Sequence, residues 1–165
     1  MSEVFCDVQM LRGFDGKYVV KELAVCVLTP TGEDFKVATF APPYHKTHIP
    51  PHFEKQNNHV SDKIHGLEWE NGERAYDLLE DTLNELTAGY SFLYVKGEEK
   101  KRVLQQLSSI AVINIESLGC PSLNRLPKLW APCHNEIHIT RQDWVCAVQN
   151  AKRIGLWYKF HKAAM

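Results

Sequence analysis

The distribution of apolar and polar residues divides the chain into short strands followed by alternating helices and strands. Residues 3–11, Glu-Val-Phe-Cys-Asp-Val-Gln-Met-Leu, read as a β-strand, and Gly13-Phe14-Asp15-Gly16 supplies the turn that reverses the chain. The return run, residues 18–28, is apolar on both faces except at Lys21 and Glu22, the pattern of an internal strand covered on two sides. Thr29-Pro30-Thr31-Gly32 ends it, and residues 35–40 make a third short strand. Residues 41–62 are rich in Pro, His and Asn without periodicity, which predicts a long loop.

From Asn71 the period becomes helical. Tyr76, Leu79, Leu83 and Leu86 share a face, with Asn71 as the expected N-cap and Gly89 at the end. Residues 91–95 read as a strand, residues 98–107 as a helix with Val103, Leu104 and Leu107 inward, and residues 110–115 as a fifth strand. Residues 120–132 hold three prolines and are expected to be irregular. A capping box at Thr140-Arg141-Gln142-Asp143 predicts a last helix through Val145, Val148, Ala151 and Ile154 toward Tyr158. Strands alternating with helices in the second half require parallel pairs, whereas the opening hairpin is antiparallel. The expected fold is α/β, a mixed five-stranded sheet with three antiparallel strands first and helices packed on it, in one domain spanning residues 1–165.

Composition narrows the class without assigning a function. The 165 residues are 44% apolar and 24% charged, as expected of a chain that folds alone. A formal charge of -1 gives no overall bias toward nucleic acid, so any such surface must be a local patch. No basic region followed by an apolar run opens the chain and no stretch is long enough for a membrane span, which predicts an intracellular protein without a membrane partner. Five widely spaced cysteines favour thiols or metal ligands in a reducing compartment over a disulfide framework.

The order of elements and the local sequence resemble the ribonuclease-H-like fold of DnaQ-type 3′-to-5′ exonucleases. Asp7-Val8-Gln9 stands where that family has Asp-x-Glu, and Glu22 stands where its second strand carries an acid. His65-Gly66-Leu67 resembles the family's step before its first helix, and Phe92-Leu93-Tyr94-Val95-Lys96-Gly97 its fourth strand. Lys100 and Lys101 lie where the next acid is expected. Two-metal hydrolysis needs several carboxylates, so the resemblance implies a degenerate site in which Asp7 is the remaining catalytic candidate.

A narrower similarity is to the Maelstrom domain, a member of the same fold class with zinc ligands in place of the exonuclease acids. Glu22, Cys133, His138 and Cys146 occupy comparable places, and His138 to Cys146-Ala147 keeps that family's interval. The Cys133 to His138 interval is longer than in that family, so His134 competes with His138 as a ligand. The resemblance implies a structural zinc, a single-stranded nucleic acid partner with RNA favoured, and a ribonuclease activity that would not depend on the two-metal site. An active metal-dependent 3′-to-5′ exonuclease and a protein-interaction domain on a nuclease scaffold are the alternatives.

From the residues alone, Glu22 in an apolar strand must be paired, protonated, metal-bound or capped by backbone amides. Lys21 is not its partner, since neighbouring strand residues point to opposite faces. Cys6 and Cys26 read as small core hydrophobes and Cys120 as packed in a turn. His45, His48, His52 and His59 lack ligand spacing and read as surface residues, while Tyr44 and Phe53 either stack bases or fold back onto the core. Lys96, Lys100, Lys101 and Arg102 form the candidate nucleic-acid-binding cluster.

Overall fold

The computed structural model describes residues 3–126 and 146–164. β1 (Glu3–Arg12), β2 (Tyr18–Thr29) and β3 (Gly32–Thr39) form an antiparallel meander. β4 (Phe92–Val95) pairs parallel to β1 and β5 (Ala111–Asn114) parallel to β4, which gives the order β3-β2-β1-β4-β5. The sheet is thus mixed and five-stranded, with the first three strands antiparallel, as the pattern predicts. Four α-helices accompany it among the described residues: α1 (Pro51–Val60), α2 (Leu79–Leu86), α3 (Glu98–Leu107) and α4 (Ala147–Ala164). None of the described helices is long and apolar enough to cross a membrane.

Alternation along the strands builds a core on each face of the sheet. On one face Val4, Cys6 and Val8 of β1 pack with Leu23, Val25, Leu93 and Val95 beneath Leu79, Leu83 and Leu104 of α2 and α3. On the other, Phe5, Cys26 and Tyr94 meet Ala151 and Ile154 of α4. Gly155 lets that helix come close, because a Cβ there would stand 3.1 Å from the Phe5 ring. Cys6 and Cys26 are fully buried free thiols, with burial pushing Cys26 up to about 12, and Cys120 is buried in the same layer as Phe5.

Two expectations are corrected. The segment 41–62 is not a loop throughout: it holds a 3-10 turn (Lys46–His48), α1 and the start of a five-residue π turn (Ser61–His65). Pro51 starts α1 at the position where a missing N–H costs nothing. Asn57 fastens the helix to the end of β1, its Oδ1 accepting from Arg12 N–H at 2.7 Å and its Nδ2 donating to Arg12 C=O at 2.8 Å. A buried amide that completes a strand's hydrogen bonding leaves no hydrophobic period. Likewise Asn71 does not cap a helix. The chain instead turns and bends toward a bridge between Phe40 and Arg74, and α2 follows a 3-10 turn at Tyr76–Leu78.

The Asn71 carbonyl serves a different purpose. A bulge between Gln9 and Met10 pairs Gln9 with Glu22 and Met10 with Val20, leaving Lys21 without a partner on β1. Lys21 is 1% exposed, and its Nζ donates to the carbonyls of Phe40 (2.7 Å), Trp69 (2.7 Å) and Asn71 (2.6 Å). Three acceptors match the three hydrogens of an ammonium, so one cation ties β2 to two later segments.

Replacing Lys21 with Met should destabilise the protein by at least about 2 kcal/mol, because buried carbonyls lose their donor. Burial lowers the Lys21 pKa from 10.5 to about 8. The unfolded chain therefore binds more protons above pH 8, and wild type should gain stability relative to Lys21→Met as pH rises from 8 toward 10.5. Denaturant melts of both proteins across that window check the magnitude and the sign.

Candidate functional site

Strand alternation and register place three polar side chains together on the α4 face of the sheet. Asp7 and Gln9 are two residues apart on β1, and Glu22 lies directly opposite Gln9 on β2. All three are buried, at 3%, 6% and 0% exposure, so each needs a partner to offset the loss of water. Two helices and β1 itself supply them.

Lys100, in the first turn of α3, reaches Asp7 with Nζ 2.6 Å from Oδ1. Asp7 Oδ2 accepts from Gln9 Nε2 and from Asn150 Nδ2 of α4, both at 3.0 Å. Glu22 Oε1 accepts the backbone N–H of Ala147 at 3.2 Å. That amide belongs to the first turn of α4, where unpaired N–H groups and the helix dipole favour a negative charge. Cys146 immediately precedes it, 3% exposed, packed with Ala24, Ala147 and Val148. Among the described residues no buried side-chain nitrogen or oxygen lacks a hydrogen-bond partner.

The sequence-derived residues therefore separate into groups. Asp7 and Glu22 do converge beneath α4, and Cys146 adjoins the amide that Glu22 binds. Lys21 turns away from Glu22, as alternation requires. Cys133, His138 and the competing His134 lie outside the described residues, as does the capping box at Thr140 to Asp143. Among the described residues no three His, Cys, Asp or Glu side chains converge as a metal-binding group.

The basic cluster is not one surface. Lys100 is committed to Asp7, and Lys96 pairs with Glu116 at 2.7 Å, a contact that lowers the Glu116 pKa. Lys101 is half-buried and Arg102 exposed, and neither has an acidic partner among the described residues. His45, His48, His52 and His59 are all exposed, and Tyr44 and Phe53 pack on Leu11, Val19, Ile49 and Trp69.

Sequence reasoning missed Asn150 and the inward reach of Lys100. Asn150 carried a signal: positions 147, 150, 151 and 154 form one helical stripe, and an amide within it faces the sheet. A lysine directed at an acid 93 residues earlier carries none. No protein-family model matches the chain, and no curated protein is significantly similar to it.

Proposed function

We propose that the chain is a nucleic-acid-binding module, with single-stranded RNA as the favoured ligand, on a ribonuclease-H-like scaffold whose exonuclease-type pit is filled by its own side chains. The observation that carries the filled pit is the saturation of Asp7 by Lys100, Gln9 and Asn150, while nucleic-acid binding itself rests on the family resemblance. Metal-assisted phosphoryl transfer places cations between carboxylates and substrate oxygens. Here an ammonium occupies one carboxylate oxygen and two neutral amides donate to the other. A divalent ion would have to displace internal bonds and would find amides where it needs anions. The five-stranded order, with three antiparallel strands followed by two parallel ones, supports the scaffold assignment. The choice of RNA comes from the similarity to the Maelstrom domain. Lys101 and Arg102 are the members of the basic cluster best placed to meet phosphates.

Fluorescence anisotropy with labelled single-stranded oligoribonucleotides, in magnesium or manganese, tests this reading. The expected result is weak, salt-sensitive binding of RNA that stays intact. Exchanging Lys101 and Arg102 for Glu should weaken it across all sequences and flatten its salt dependence by about two phosphate contacts. Manganese-dependent digestion that vanishes in Asp7→Asn would select the exonuclease alternative. Absence of binding to any oligonucleotide would select the protein-interaction alternative.

The same reading carries the zinc proposal, with Glu22, Cys133, His138 and Cys146 as ligands. A buried carboxylate beside a buried thiol is a suitable half of a tetrahedral donor set. The Ala147 N–H bond to Glu22 is compatible with it, since ligating carboxylates are themselves hydrogen-bonded. Such an ion would be structural, joining β2 to the start of α4, and its binding energy would be folding energy. Metal analysis by mass spectrometry should find one zinc per chain, and a strong chelator should lower the melting temperature. Metal-free protein whose melting ignores the chelator contradicts the proposal.

A further inference from the structure

An open cleft of about 420 Å³ lies between the start of β1, the end of β2 and the last turns of α4. It shares the α4 face of the sheet with Asp7, two residues beyond Phe5 on β1, but opens toward the other end of the helix, where Lys162 stands twelve residues after Asn150, roughly 18 Å along the axis. The interior is hydrocarbon and aromatic, made by Phe5, Leu28 and the ring of Tyr158, with Pro30 exposed at the mouth. Phe5, Tyr94 and Tyr158 form a ring cluster with centroids 4.9 to 5.5 Å apart, which holds the floor rigid. The polar end of Tyr158 is already engaged, donating to Glu3 Oε1 at 3.1 Å.

Charge is confined to the rim. Lys162 is compensated by Glu3, 3.1 Å away, whereas Lys159 is exposed and has no acidic partner among the described residues. The rim thus has one excess positive charge over an apolar interior. We propose that this cleft binds a small amphipathic anion, an alkyl or aryl body ending in a single carboxylate or similar group, with the body against Phe5, Leu28 and Tyr158 and the head at Lys159. A nucleobase fits less well, because its edge donors and acceptors would be buried against groups that cannot pair with them. The volume lies near the small end of ligand pockets, roughly 300 to 1,000 Å³, which suits a medium-length chain. The proposal is independent of nucleic-acid binding and stands or falls without it.

Isothermal titration of the full chain with dodecanoate, below its micellar concentration, tests this. Saturable one-to-one binding is expected, with dodecyltrimethylammonium at least about tenfold weaker because its head has the wrong sign. Lys159→Glu should weaken dodecanoate by at least about fivefold. Pro30→Glu, at an exposed position that leaves the core intact, should weaken it as well by placing a carboxylate at the mouth. Equal binding of the two detergents, no saturable binding, or affinity unchanged in both variants would each overturn the site.

Discussion

A carboxylate on the inner face of a sheet must find partners before a helix can cover it, and this requirement governs how α4 lies on the structure. Asp7 and Glu22 sit under that helix almost without solvent. Their partners come from Lys100 on α3, Gln9 on β1, and Asn150 and the Ala147 amide on α4. Apolar packing through Ala151 and Ile154 supplies area but tolerates small displacements; the polar contacts do not. Sliding α4 by one residue would separate Asn150 from Asp7 and Ala147 from Glu22 together. The hydrogen bonds therefore fix the register, and Gly155 permits the close approach that the register demands.

The two inward-reaching lysines solve opposite problems. Lys100 brings positive charge to a buried acid, so that the pair is neutral and the pit stays closed. Lys21 brings positive charge to three carbonyls that have no acid among them, and burial lowers its pKa accordingly. One neutralises an acid between the sheet and α4; the other fastens the irregular segment after β3 to the sheet. Both direct their charge to internal partners, which is why a basic run in the sequence overstates the basic surface of the folded chain.

The strands were legible because their apolar runs are bounded by Gly and Pro turns, and α3 because its inward residues keep helical spacing. The meander and its parallel extension followed from element order alone. What could not be read depends on single polar contacts between distant segments. α1 is held through Asn57 to the backbone of Arg12, so its sequence resembles a polar loop. Asn71 looked like a cap, but its backbone accepts from Lys21. Of the site, Glu22 stands out in the sequence as an acid inside an apolar strand, whereas Asp7, Gln9 and Cys146 enter only through the family resemblance. The sequence points Lys100 at phosphate, because a helix start near a strand end gives no hint that its side chain turns inward.

Lys100 is the charged partner that keeps Asp7 buried, and a double-mutant cycle measures that pairing directly. Urea denaturation of wild type, Asp7→Asn, Lys100→Met and the double variant gives the coupling energy between the two side chains. Each single change should cost about 2 to 3 kcal/mol, below the usual range for a fully buried pair because Lys100 keeps some solvent contact. The double change should cost less than the sum by at least about 1 kcal/mol. Additive effects, equal to the sum within about 0.5 kcal/mol, would mean that the two side chains do not depend on each other and that the pit is not closed by Lys100.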